Sequence, residues 1–349
     1  MKRPHRLLHG FLRYGLLRCG LWAIVAASSI AVPLFAQTPP ESQRISFQIA
    51  TGPVSGSYLR VGETVARIIS NPPGLARCDE EGVCGPEGLI ATSRSSSGSI
   101  ANAISVNSGR VKSAIVQGDI ARAAFDGTGP FKAGGPLKNL RAIARLHDET
   151  LHLVVASRSR IKKLSDLKGK RVGIDSAKAA TNFTVRTILA MGNIDTNRLR
   201  LSYQAPEQAA EDMRDGKLDA YFVIGATPIR SVDWIVRRGQ GRVIGIDARV
   251  IAAAVKRNPM LMKIDLPSDT YRSSKALATL GVGSVWLVHK DLPKDIAYGI
   301  VRSLWNPANR SELQRLGSIA RSIHVEKAAE NLPVPLHDGA QLFYAEAGR

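Results

Sequence analysis

The residues that could do chemistry in this chain are small, polar and grouped at a few points. Ser57 and Tyr58 follow the loop Thr51-Gly52-Pro53-Val54-Ser55-Gly56. Ser97, Ser99 and Asn102 lie in a serine-rich loop and the start of a helical pattern, and Gln117 and Asp119 flank Gly118. Lys178 and Thr181 belong to DSAKAAT, and Gly225 and Pro228 to a fourth loop, GATP. Hydroxyls, amides and glycines at loop-to-helix junctions are chemistry for holding a ligand. Each helix start adds unpaired N–H groups and a dipole that suits an anion. Ser57, Ser99 and Asp119 could instead be helix caps, a role compatible with ligand contact because a cap leaves other N–H groups free. Tyr58 reads equally as core packing. Asn102 lies inside the first turn, where no cap is needed, and reads as a contact, as does Gln117.

Signatures of catalysis are missing. The chain has no GxxxxGK[ST], GxSxG, HExxH or CxxC. Two SxxK matches, Ser159 to Lys162 and Ser165 to Lys168, read as a basic turn and a helix cap, and no KTG follows. His147 and His152 flank Asp148 and Glu149, but His152 is expected to begin a strand, which lacks the i,i+4 helical spacing a metal site favours. No nucleophile–base–orienter set is visible, so the expectation is a protein that is not an enzyme and uses no cofactor or metal.

One unit recurs along the chain and positions these residues. ISFQIA (45–50) alternates apolar and polar residues as a strand does, and Tyr58, Val61, Val65 and Ile68 then fall at helical spacing. Strand, polar loop and helix recur at 88–104, at 111–119 onward, at 170–189 and at 218–235. Such alternation predicts an α/β protein with mainly parallel sheets and helices on both faces. Ligands in these sheets sit beyond the carboxyl ends of the strands. Three junctions precede residue 125 and two follow residue 169, which suggests two lobes, each with its own sheet, facing across a cleft. HLVVAS (152–157) and TLGVGSVWLVHK (279–290) would be strands crossing between them. Lobe I is then discontinuous, 44–150 with 280–349, and lobe II is the insert 151–279.

Composition sets the compartment and bounds the partners. Residues 1–36 carry Lys2, Arg3, Arg6, Arg13 and Arg18 and no acid, then the apolar run Leu21–Phe35, then Ala36-Gln37. Fifteen apolar residues are too few for a spanning helix, which needs about 20. The pattern is an export signal cleaved near Ala36, placing the protein in the periplasm. The whole chain has a formal charge of +19; without these five cations 43 basic residues face 29 acidic ones, or +14. With 5% aromatic residues and no block of five consecutive cations, a nucleic-acid partner is not expected. In an oxidising compartment Cys78 and Cys84 are expected to pair, closing a loop too short for stability to depend much on it.

The same junctions carry a resemblance. IATGPVSGSYLRVGETVARII, Ser97-Gly98-Ser99-Ile100-Ala101-Asn102, Val116-Gln117-Gly118-Asp119-Ile120-Ala121, LSDLKGKRVGI, YFVIGATP and VPLHDGAQLFYAEAG occur in this order. The set resembles TAXI-type solute receptors, the extracytoplasmic binding proteins of tripartite ATP-independent (TRAP) transporters. The resemblance implies a periplasmic-binding-protein-like fold of class II type with two crossing strands. It implies a monomer that closes on a small anionic solute, a glutamate-like amino acid or a dicarboxylate, and delivers it to a TRAP membrane subunit. Three departures stand out: Leu59 in place of a second tyrosine, a long insertion at 71–89, and Lys178-Ala179-Ala180-Thr181 where the family has Gly-Ser-Gly-Thr. Lys178 thus brings a charge to an otherwise uncharged loop, either as a clamp on a carboxylate or as a solvated surface lysine. The alternatives are the binding protein of an ATP-driven importer of the sulfonate or thiamine-precursor kind, or a ligand presenter for a sensor.

Overall fold

The computed structural model describes residues 44–348 except Asp79 and Ser274; the expected export signal lies outside the described residues. Phe47 and Ile49, the apolar members of the first alternation, are buried in strand β1 (Ile45–Ala50). Helix α1 (Ser57–Ile69) then buries Val61, Val65, Ile68 and Ile69 against the sheet. The pattern repeats in β2 (Leu89–Arg94), α2 (Ser99–Asn107), β3 (Ser113–Gln117) and α3 (Gly118–Asp126). Strand β4 (Leu140–Ala156) leads to β5 (Arg171–Gly173), α4 (Ala180–Met191), β6 (Arg200–Ser202), α5 (Pro206–Arg214), β7 (Ala220–Gly225) and α6 (Arg230–Arg237). After β8 (Gly241–Ile244), α7 (Ala248–Arg257) and β9 (Leu261–Leu266), strand β10 (Leu277–His289) returns to the first half, which α8 (Lys294–Leu304), α9 (Arg310–Gln314) and α10 (Asp338–Glu346) complete.

The strand order is β2-β1-β3-β10-β4-β7-β5-β6, with β8 on β4 and β9 on β10. Strands β1, β2 and β3 are mutually parallel, as are β5, β6 and β7. The antiparallel pair β4 and β10 runs through both groups. The chain is thus a two-lobe α/β protein in which one continuous sheet, rather than two separate ones, passes from lobe I (around β1–β3) to lobe II (around β5–β7). Each lobe has an apolar layer on both sheet faces. Lobe I buries Phe47, Ile115, Trp286 and Ile300 on one face and Val116, Ile120, Val285 and Leu287 on the other. Lobe II buries Leu153, Val172, Ile188 and Phe222 on one face and Val154, Tyr221, Val223 and Ile235 on the other. At about 1.5–3 kcal/mol for each large apolar side chain, these layers hold the frame.

Three features differ from the sequence reading. β4 begins at Leu140, not His152, because Leu140, Ala142, Ile143, Ala144 and Leu146 are buried strand residues interrupted by Arg141 and Arg145. Strands β6 and β8 have too few residues to announce themselves by alternation, and β9 (Leu261–Leu266) is missing from the sequence reading. At the SxxK match Ser165 to Lys168, expected as a helix cap, the segment forms only a single 3-10 turn, Leu164–Leu167. Cys78 and Cys84 are bonded, with Cα atoms 5.3 Å apart.

Candidate functional site

The polar junctions of lobe I converge on β4 through a defect in its pairing with β10. Asp148 pairs with Gly283 and Arg145 with Val285, so Leu146 and His147 together face Ser284 alone. Such a bulge re-aims side chains. Arg145 and Asp148 turn to one face, where they pair with each other. His147 and Glu149, two residues apart, turn together toward α1. Ser284 fills the gap: its hydroxyl accepts from the His147 N–H (3.1 Å), lies 2.9 Å from the His147 carbonyl and stands 2.9 Å from Nδ1.

Tyr58 Oη donates to Glu149 Oε2 at 2.6 Å, and both residues are buried. Burial, then the charges of Asp119 and Asp148, push the Glu149 carboxyl up to about 8 despite the Tyr58 bond. Burial and the Glu149 charge raise Tyr58 well above an ordinary phenol. The hydrogen bond to the Glu149 carboxyl falls on Oε2. Ser57 Oγ lies 3.0 Å from His147 Nε2. That is the spacing of a nucleophile and its base, a pair the sequence did not reveal. Burial pushes His147 down to about 3, which holds the ring neutral. The other ring nitrogen meets a serine instead of the carboxylate that would raise its basicity.

Gln117 and Asp119 reach across to lobe II. Gln117 Nε2 donates to Asp119 Oδ1 (2.6 Å) and to Thr184 Oγ1 (2.9 Å), and Thr184 Oγ1 donates to Asp119 Oδ2 (2.6 Å). Thr184 is on α4, so this triad latches the lobes. Phe183 beside it packs against the lobe I layer that holds Phe131, and a Cβ on Gly129 would come within 2.5 Å of its ring. Burial raises the Asp119 carboxyl, opposed by donors from Thr184, Gln117 and the Ile120 and Asp119 N–H groups.

Neither Ser57 nor Ser99 caps its helix; each is the first helical residue, after Gly56 and Gly98. Ser99 Oγ accepts from the Gln117 N–H at 3.0 Å. Asn102, expected as a ligand contact, is placed between two strands. Its amide nitrogen donates to Thr51 O (2.5 Å) and Ile115 O (2.8 Å), and at 1% exposure it ties the end of β1 to β3. Ser97, Lys178 and Pro228 are exposed and stand outside the buried network. Thr181 is buried and hydrogen-bonds Asp175, whose carboxyl burial raises. Gly225 ends β7 opposite Thr150, and the following Thr227 carbonyl accepts from Ser318 of lobe I at 2.8 Å.

Four members were not among the sequence candidates: His147, Glu149, Thr184 and Ser284. His147 and Glu149 needed the recognition that RLHDET is strand, since only then do they share a face. No group of three His, Cys, Asp or Glu able to hold a metal occurs among the described residues. The network is therefore acidic and uncharged-polar, with four helix N-termini (α1, α2, α3 and α4) contributing to it.

Comparison with known proteins gives a family. The sequence profile of the NMT1-like family matches residues 49–348. Among solved structures the chain is similar to the alkanesulfonate-binding protein SsuA from Xanthomonas axonopodis pv. citri bound to MOPS, at 13% identity over 87% of this chain and 84% of that one, with a TM-score of 0.44. It is similar to the periplasmic aliphatic sulphonate binding protein SsuA from Escherichia coli at 14% identity with the same coverage and TM-score. A protein from Bordetella bronchiseptica RB50 matches at 14% identity over 88% of this chain and all of that one, with a TM-score of 0.48.

Proposed function

The chain belongs to the NMT1-like family, and on that premise we propose that it is a periplasmic receptor that captures a small solute between its lobes and delivers it to a membrane transporter. The observation that carries the reading is the buried polar network at the lobe junction: Tyr58–Glu149 within lobe I, and Gln117–Asp119–Thr184, which crosses from lobe I to lobe II. A solute held there would be enclosed by both lobes, with β4 and β10 as the hinge. Lobe I would comprise 44–150 and 280–349 and lobe II 151–279, a division supported by the change in β4 partners at Thr150, which faces both Gly281 and Gly225. Cleavage near Ala36 and periplasmic location follow from the basic and apolar pattern of residues 1–36.

The network refines the solute. Helix N-termini at Ser57, Ser99, Gly118 and Ala180 suit a carboxylate. Glu149 and Asp119 do not; they suit an ammonium, which Glu149 Oε1 has capacity to accept. Both ends together describe a glutamate-like amino acid better than a dicarboxylate, with Lys178 as the candidate clamp on a second carboxylate.

The ordered motifs shared with TAXI-type receptors support a TRAP membrane subunit as partner. The competing partner is an ATP-driven importer. Isothermal titration with glutamate, glutamine and C4–C5 dicarboxylates tests the solute class, and solute uptake after ATP depletion with the ion gradient clamped separates the partners. Binding of dicarboxylates alone would overturn the amino-acid reading. Uptake that ceases with ATP despite the clamped gradient would overturn the TRAP reading.

A further inference from the structure

The basic surplus of this chain is not evenly spread. Between Ser157 and Arg171 the sequence RSRIKKLSDLKGKR carries seven cations and one acid, Asp166. Its apolar residues Ile161, Leu164 and Leu167 are buried in lobe II, at no more than 1% exposure. Arg158, Arg160, Lys162, Lys163, Lys168 and Lys170 are all exposed and, among the described residues, make no ion pair. Arg198 and Arg200 join them, since the Gly169 N–H donates to Arg198 O (2.8 Å) and the Arg200 N–H to Lys170 O (2.9 Å). Asp166 is turned inward to the segment's own backbone, accepting from the Lys162 and Lys163 N–H groups. Asp219 is taken by Arg171 at 2.7 Å.

The location is as specific as the charge. β5, β6 and β7 begin here and β4 ends here, so the cations cap the sheet edge opposite the one that faces the lobe junction. The segment is also held firmly. Arg242 Nη2 donates to Ser159 O (3.1 Å) and Ile161 O (2.7 Å), and the Ser157 N–H to Gln240 O (3.0 Å). A fixed array of exposed cations spread over one pole, of which Arg198 alone has an acidic partner (Asp195, 3.7 Å), with its apolar residues spent on the core, offers no pocket for a single small anion. It matches an extended anionic plane.

We propose that this pole of lobe II docks the protein onto anionic phospholipid bilayers, leaving the lobe junction free to bind solute. The attraction is electrostatic, without insertion, and adds about fivefold in partitioning for each cation near the surface.

The test uses the protein recovered after export and co-sedimentation with vesicles of 30% phosphatidylglycerol in phosphatidylcholine, or phosphatidylcholine alone, in 0.1 M salt. Binding to the anionic vesicles only, lost in 0.5 M salt, is expected. Lys162→Gln/Lys163→Gln/Lys168→Gln/Lys170→Gln should weaken it at least about a hundredfold. A second variant, Arg110→Gln/Lys132→Gln/Lys290→Gln/Lys294→Gln, removes as many exposed cations from lobe I and should retain most of the binding. Equal losses in the two variants would overturn the proposal in favour of net charge alone. Equal binding to neutral vesicles, or binding only to membranes that contain a transporter, would overturn it in favour of apolar insertion or a protein partner. Solute affinity should be unchanged in the pole variant, so the result stands apart from the identity of the solute.

Discussion

Replacing Glu149 by Gln should make the unliganded protein more stable above pH 5, and increasingly so up to pH 8. The carboxyl has its unfolded value near 4.5 and is raised to about 8 by burial in the folded chain. Between those values the folded state holds a proton that the unfolded state has released. Stability is therefore fully present below pH 4.5 and falls as pH rises through 8, at about 1.4 kcal/mol per pH unit. Over this interval the ceiling is about 5 kcal/mol. Glu149→Gln keeps an oxygen to accept from Tyr58 and removes the titration. Thermal unfolding of both proteins from pH 4.5 to 9 should show curves that diverge with pH, the variant melting higher by several degrees at pH 8. A difference independent of pH would refute the reasoning, because it would mean that Glu149 is ionised at no cost. Binding supplies an independent sign. An ammonium docking on Glu149 drives off the proton, so affinity should rise with pH toward 8, and titrations in buffers of different ionisation enthalpy should detect a released proton. Affinity that falls over the same range would show a protonated Glu149 donating to a ligand carboxylate instead.

Burial lowers His147 and His152 to about 3 and about 4, so their contribution is lost as pH falls below 6.5; with Glu149 acting on the other side, wild-type stability should peak near pH 6–7, and His147→Gln should flatten the acid limb in the same melts. Thr184→Val removes the hydroxyl shared by Gln117 and Asp119, and should loosen the latch; solute affinity should drop about tenfold and small-angle scattering should show a larger radius without solute, whereas no change in either would make the triad incidental. Asn102→Ala takes one donor from the Thr51 carbonyl, which keeps the Ser96 hydroxyl, and one from the Ile115 carbonyl, and should cost about 1–2 kcal/mol of stability in denaturant unfolding; loss of affinity without loss of stability would make it a ligand contact. Lys178→Met should weaken a dianionic or zwitterionic solute several-fold with folding intact, and an unchanged dissociation constant would remove Lys178 from the site. Cys78→Ser/Cys84→Ser should cost about 2.4 kcal/mol at most, the closure entropy of a seven-residue loop, read as a shift in denaturant midpoint.

The order of strands, loops and helices was legible because each junction announces itself by a change of period, from two in β1 to 3.6 in α1. Lobe I residues Ser57, Tyr58, Ser99, Gln117 and Asp119 were legible for the same reason: polar residues between two apolar patterns have to sit at a strand end. What each one does was not. Whether Ser99 caps a helix or accepts from Gln117 depends on a partner 18 residues away, and whether Asn102 faces a ligand or two carbonyls depends on how closely β1 and β3 approach. Those distances are set by packing, for which local pattern carries no signal.

Glu149 shows the deeper limit. In RLHDET every residue after Leu146 is polar or charged, so the segment has the composition of a loop. It is strand because β10 on one side and β7 on the other complete its hydrogen bonds, pairings over 75 to 140 residues of sequence. Even given a strand, simple alternation would put Arg145, His147 and Glu149 on one face. The bulge opposite Ser284 changes that, sending Arg145 to the far side with Asp148 and leaving His147 and Glu149 facing α1. Had alternation held, the Arg145 guanidinium would stand near Glu149, lower its pKa and neutralise the network. One extra residue in the pairing of β4 therefore decides whether the lobe junction holds an ion pair or a lone carboxyl able to accept a ligand's ammonium.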